Sequence, residues 1–262
     1  MRLLRDLQAL YRHRELLWIW TLREIKVRYK QSVLGIAWAV LQPLALMLVF
    51  TTVFSVLVKI PTDDVPYPVF SYTALLAWTF FATAVSFAIP TLVNNLNLVT
   101  KVYFPREILP IASVGAAFVD FLVAGGLLVV VLVYYQIPFE VTLLWVPLLV
   151  GVQVLLTLGV VLPASALNVF YRDIRFVVPL AIQLWLYATP VIYPVSLVPA
   201  PVRPLYILNP MVGLIDSYRR VIVQGLPPVP EYLAISTVVS LVLAVAGYTY
   251  FKRSEASFAD LI

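Results

Sequence analysis

The chain has 262 residues, of which 62% are hydrophobic and 12% charged, and its mean hydropathy is +0.97. A soluble domain carries about 45–50% apolar and about 25% charged residues and needs polar cover for its surface, so this composition excludes one and points to an integral membrane protein. No cysteine is present and His13 is the only histidine, which removes disulfides, thiolate metal sites and histidine clusters. The net charge is +5, and eight of the 18 basic residues fall within residues 1–30, next to a membrane-sized apolar stretch. That placement favours a cytosolic, lipid-facing rim, with no nucleic-acid partner.

In chain order, residues 1–30 read as an amphipathic helix lying in the membrane interface, retained rather than cleaved as a signal. Leu3, Leu7, Leu10 and Leu17 form one apolar row, Leu4, Tyr11, Trp18 and Ile25 its neighbour, and Arg5, Arg12, Glu15 and Arg23 lie off them. A helix packed on a partner subunit is the alternative. A first span over 33–58 follows, broken mildly by Gln42 and Pro43, and then a turn-rich loop at 59–68. The second span is 69–92. Residues 94–107 (NNLNLVTKVYFPRE) read as a short helix and turn closed by Pro105. The third span, 108–135, carries Asp120, and the fourth covers 142–168. A charged link at 168–176 leads to a fifth span at 177–192. The stretch 193–230 is rich in proline and holds apolar pieces too short to cross, which predicts short re-entrant or outer helices. The last span is 231–251.

The predicted fold is therefore all-α and polytopic, with six transmembrane helices. Fourteen of the 18 basic residues then lie on one side, which puts both termini in the cytoplasm.

Chemistry is sparse. None of the five lysines is followed by Ser or Thr, so the chain has no Walker A loop and is expected not to hydrolyse ATP itself. No G-x-S-x-G frame exists, and Asp63–Asp64 is the only adjacent acidic pair, so a membrane-embedded enzyme has little to stand on. Asp120 is the only acid deep in a predicted span and lacks an evident basic partner within the membrane. It reads either as a polar group in a translocation path or a proton relay, or as a hydrogen bond between helices or a subunit contact. In the outer segment Asp216, Arg219 and Arg220 suit a clamp on an anionic group or an internal ion pair. Aromatic residues set deep in the spans, among them Trp38, Phe50, Trp78, Phe81, Phe87, Trp185 and Tyr187, suit either the lining of a path for a sliding sugar chain or ordinary packing. Tyr206 belongs to the aromatic residues at span ends.

Three segments carry a family likeness: REIKVRYKQSVLGIAWAVLQPL (23–44), NNLNLVTKVYFPREILP (94–110) and NVFYRDIRFVVPL (168–180). Together they resemble the transmembrane subunit of the ABC-2 polysaccharide exporters, including those for O-antigen and teichoic acid. The likeness extends over 1–262 as a single transmembrane domain of the bacterial inner membrane. It implies a channel of two copies with two copies of a separate ATP-binding subunit on the cytosolic face, where ATP and magnesium bind; no cofactor is expected on this chain. The cargo it implies is a lipid-linked polysaccharide, usually on undecaprenyl diphosphate, with a drug or small lipid as the alternative within the superfamily. By the same resemblance Asn97, Lys101, Tyr103, Arg106 and Glu107, with Arg172 and Asp173 in the second cytosolic link, are expected at the surface that couples to the ATPase. Trp38, Phe50, Trp78, Phe81, Phe87, Asp120, Trp185 and Tyr187 are the path candidates. Tyr206, Asp216, Arg219 and Arg220 are expected at the outer gate.

Overall fold

A computed structural model describes residue 8 and residues 10–62, 65–101 and 104–259, without the side chains at 99–101 and 259. Tyr103, Asp63 and Asp64 lie outside the described residues, as does the Lys101 side chain. Lipid offers no hydrogen bonds to a backbone, so apolar runs of this length fold as helices that satisfy themselves internally. Helix α1 (Arg14–Tyr29) precedes a first span built as one 3-10 turn at Gly35–Ala37, then α2 (Trp38–Phe50), then π turns at Thr51–Leu57. The widened turns close through Val58 N–H to Val53 O at 3.0 Å and Ile60 N–H to Phe54 O at 2.9 Å. Next come α3 (Tyr67–Ala88), two short helices α4 (Thr91–Asn94) and α5 (Leu96–Lys101), and α6 (Ile108–Tyr134). After a 3-10 turn at Val141–Trp145 the chain forms α7 (Val146–Phe170) and α8 (Ile174–Tyr187). It then forms α9 (Arg203–Ile207), α10 (Pro210–Ile222) and α11 (Pro230–Ser254), which ends in a 3-10 turn at Glu255–Ala259.

Among the described residues five helical segments are long and apolar enough to cross a membrane: 35–57, 67–88, 108–134, 141–170 and 230–258. The expected span at 177–192 is instead the 14-residue α8, about 21 Å at 1.5 Å per residue against a hydrocarbon core of about 30 Å. The helix stops because Pro190 and Pro194 follow it, and proline supplies no amide hydrogen to continue the ladder. The unwound carbonyls of Pro190, Val191 and Tyr193 are taken up by the buried Arg219, which gives the break a structural reason that hydropathy does not see.

Cross-helix hydrogen bonds set the directions. Gln153 Nε2 donates to Ala77 O at 2.6 Å and Asn168 Nδ2 to Ile89 O at 3.4 Å, so α3 and α7 run parallel. Tyr72 hydroxyl donates to Ala124 O at 3.0 Å, on α6, which runs the other way. α7 and α11 are also parallel and pack backbone to backbone: a Cβ on Gly159 would fall 2.7 Å from Ala244 N, and one on Gly247 2.6 Å from Gly159 O. Small residues allow this approach where lipid provides no hydrophobic drive. Because α7 and α11 point the same way, the segment 171–229 must carry the chain back to the end where α7 began.

α3 is the axis of the bundle, with 78% of its most apolar stretch buried, while that of the first span is only 11% buried. Tyr72, Leu75 and Phe81 of α3 meet Leu149 and Leu156 of α7 and Met211 and Leu214 of α10 in the main core. A second cluster joins Leu92, Phe104, Ile108, Leu162, Ala166, Tyr248, Phe251 and Phe258 at the other end, with Leu10, Leu16, Leu17 and Trp20 of the N-terminal region against it. Of the two expected rows of that region, the one with Leu10 and Leu17 faces the bundle, while Tyr11 and Trp18 of its neighbour are exposed; Leu3, Leu4, Arg5 and Leu7 lie outside the described residues.

Candidate functional site

The helix ends in the second cluster are tied by ions. Glu107, one residue before α6, is fully buried. Lys252 near the end of α11 reaches both its oxygens, at 2.8 Å and 2.9 Å. Tyr248 hydroxyl donates to Glu107 Oε1 at 3.2 Å. Lys252 also meets Glu255 at 2.9 Å. The tie returns in the opposite sense: Arg106 Nη1 donates to Glu255 O at 2.6 Å and Arg106 N–H to Glu255 Oε1 at 3.2 Å, with the guanidinium 5.9 Å from the Phe258 ring. A buried carboxylate stripped of its cation costs about 3–5 kcal/mol, so these contacts fix α11 to the start of α6.

A second polar group lies at membrane depth. Asp120, midway along α6, accepts hydrogen bonds from Arg28 Nη1 and, at 2.6 Å, from Tyr29 hydroxyl. Arg28 also stacks on Phe87, 4.3 Å from the ring centroid. Burial first, and then the neighbouring carboxylate, hold the Tyr29 phenol well above its ordinary value, so it remains a donor. Asp120 therefore has a basic partner after all, and it comes from α1. α1 enters beside α6, with Thr21 against Gly115, and delivers Arg28 and Tyr29 inward. The group lines a cleft of about 190 Å³ together with Trp38, Gln42, Thr79, Thr83 and Phe87.

At the opposite end Arg219 is buried and holds the broken segment together. It donates to Phe70 O at 3.1 Å, Pro190 O at 2.5 Å, Tyr193 O at 3.3 Å and Val191 O at 2.7 Å, and lies 3.4 Å from the Phe70 ring centroid. Arg220 donates to Pro227 O at 2.9 Å. Tyr206 and Tyr193 hydroxyls meet at 3.1 Å, and Tyr67 hydroxyl donates to Ile192 O at 3.0 Å. Arg203, Asp216, Arg219 and Arg220 line one cavity of about 280 Å³. Asn209 caps α10 through Met211 N–H at 3.1 Å and receives Trp185 Nε1 at 3.0 Å, which joins α8 to the segment after it.

The sequence that builds this apolar bundle matches a known family. The model of the ABC-2 type transporter matches residues 15–223. The chain belongs to the ABC-2 type transporter family. The permease is 34% identical to the O-antigen export system permease protein RfbA of Myxococcus xanthus, across 99% of this chain and all of that protein. It is 30% identical to the protein of the same name in Klebsiella pneumoniae, across 95% of each chain. The polysialic acid transport protein KpsM of Escherichia coli is 23% identical, across 90% of this chain and 92% of its own. Family identity makes this chain a permease subunit, non-catalytic, in the bacterial inner membrane.

The permease groups some of its sequence-predicted residues and separates others. Trp38, Phe87 and Asp120 share the cleft beside α1. Trp78, Phe81 and Trp185 form instead a packed cluster in the core, with Phe81 and Trp185 rings 5.1 Å apart and Trp78 and Trp185 rings 6.5 Å apart. Phe50 meets Phe54 edge-on at 5.6 Å, and Tyr187 is exposed at the end of α8. Asn97, Arg172 and Asp173 are exposed, whereas Arg106 and Glu107 turn into the ionic tie. Arg28, Tyr29, Asn209, Tyr248, Lys252 and Glu255 were not expected from the sequence. A charge balance was the available signal: the lone acid of α6 needs a cation, and Arg28 stands at the end of an amphipathic helix next to the first span.

Proposed function

We propose that the permease exports a lipid-linked polysaccharide, of the O-antigen or teichoic-acid kind and on an undecaprenyl diphosphate carrier, through a channel formed by two copies. Two copies of an ATP-binding subunit drive it from the cytosolic face. The observation that carries this reading is the likeness, over essentially the whole chain, to O-antigen export permeases. The nearly unburied first span supports the two-copy channel, since a helix with so little of its own chain around it is suited to a wall completed by a neighbour.

The parallel course of α7 and α11 supports six crossings, with α8 and the segment after it making the fifth as a short helix plus broken chain. On that count both termini are cytoplasmic, together with α4, α5 and the 171–173 link. Asn97, Lys101, Tyr103, Arg172 and Asp173 then meet the ATPase, and Arg106 and Glu107 act just behind them. Trp38, Phe87 and Asp120 serve the path at the cleft, and Phe50 and Tyr187 where two copies approach. Trp78, Phe81 and Trp185 hold the wall from within. Tyr206, Asp216, Arg219 and Arg220 shape the outer gate, where a ring of backbone carbonyls clamped on one arginine keeps a non-helical stretch stable at membrane depth.

Deletion of the permease in its own cell tests this. The expected outcome is loss of a surface glycan with accumulation of the same glycan on its lipid carrier inside the cell, restored by the wild-type chain. An unchanged surface glycan with altered drug tolerance contradicts it.

A further inference from the structure

We infer that the end of α11 is part of the coupling element, held to it by the tie of Arg106 and Glu107 with Lys252 and Glu255, so that a push on α4 and α5 reaches the last span directly. This rests on the reading that the ATPase acts on the 94–107 region.

Continuity along the chain is a poor route for such a push. Pro105 separates α5 from α6, and a proline both lacks an amide hydrogen and biases the residue before it away from helix, so α5 and α6 are not one rod. α5 has its own sideways connection to the end of α11, through Leu98 and the 255–259 turn, and the ionic tie locks that same end to the chain just after Pro105. Glu107 is fully buried and both its oxygens are held by Lys252, while Arg106 grips Glu255 through backbone and side chain. Bonds running in both directions between the same two segments resist sliding as well as separation. Apolar contacts reinforce them: Phe258 packs on Phe251 at 5.7 Å and on Phe170 of α7 at 5.9 Å, and Leu98 of α5 joins the same cluster. α5 also lies directly against the 255–259 turn. Onward from there, α11 lies in backbone contact with α7 at Gly159 and Gly247, so a displacement of its end is passed to a second helix without a flexible side chain between them.

Spin-label distances test this, and the chain has no native cysteine to interfere. Labels at Asn94→Cys, Arg253→Cys and Val49→Cys, all exposed positions, are measured pairwise in the complete complex with the ATP-binding subunit in lipid, with and without nucleotide. The expected result is an unchanged 94–253 separation while both 94–49 and 253–49 shift. Movement of 94 against a stationary 253 overturns the inference and leaves the coupling reading intact. No movement of any pair overturns both. In parallel, Lys252→Met is expected to let the 94–253 separation change with nucleotide and to lower export per ATP hydrolysed by about tenfold, while Lys252→Arg retains both. Equal export by an assembled Lys252→Met complex overturns the inference. If Lys252→Met does not assemble, the distances in the protein with its native tie decide alone.

Discussion

Asp120 and Arg28 illustrate how one intramembrane charge organises its surroundings. Neither ion is tolerable alone at that depth, and the pair is completed by Tyr29 and the face of Phe87. Asp120→Asn leaves the guanidinium uncompensated and is expected to destabilise the permease by about 3–5 kcal/mol, read as thermal unfolding in detergent. The double variant Arg28→Met with Asp120→Leu is expected to cost less than the sum of the singles. An Asp120→Asn protein that melts normally yet exports nothing would make Asp120 a path group instead of a tie. The aromatic candidates divide by the same measurement. Trp78→Ala removes a core side chain and is expected to cost about 3–5 kcal/mol, whereas Trp38→Ala, from a side chain about half exposed beside the cleft, is expected to spare stability and change export. Loss of stability in the Trp38 variant equal to that of Trp78 would assign both to packing. The sequence identified Asp120 as unusual because a lone carboxylate in an apolar run stands out. It did not reveal the partner, since Arg28 is 92 positions away and looks like any rim cation.

At the scale of elements, the apolar runs marked the long helices because lipid selects by length and hydropathy alone, and Pro66, Pro105 and Pro230 bracket α3, α6 and α11 much as proline should. The short α8 was not legible. Its apolar run continues to Ile192, and only the tertiary position of Arg219 explains why the chain is stable when it unwinds after Tyr187. The π turns at the end of the first span left no trace in hydropathy either. Helix pairing was invisible for a related reason: Gly151 and Gly159 sit in similar sequence, yet a Cβ on Gly151 meets nothing within 4 Å while one on Gly159 meets the α11 backbone. Gly247→Ala is therefore expected to destabilise the protein by about 1–3 kcal/mol through forced separation of α7 and α11. Gly151→Ala is expected to be neutral or stabilising by up to about 1 kcal/mol. Equal unfolding midpoints for the two variants would remove the close-packing account of this helix pair.

For the whole molecule, the two ends differ in kind. One gathers α1, α4, α5 and the ends of α7 and α11 around a buried ionic tie, and the other holds the broken segment around Arg219. The proposed orientation, which rests on the asymmetry of basic residues, turns the first end to the cytosol. Cysteines at Arg253 and Lys59 test that orientation in intact cells: a membrane-impermeant reagent is expected to reach the one at 59 and not the one at 253, and the reverse labelling would invert the topology. With that orientation ATP energy enters at the end where the chain is rigidly tied and cargo leaves at the end where the helices are interrupted. The most direct measurement of the account is translocation in vesicles holding this permease, its ATP-binding subunit and a lipid-linked polysaccharide. ATP-dependent transfer of the glycan across the bilayer, requiring both subunits and with no hydrolysis by the permease alone, is the predicted result. Hydrolysis by the purified permease, or an active complex that leaves the glycan in place, would contradict it.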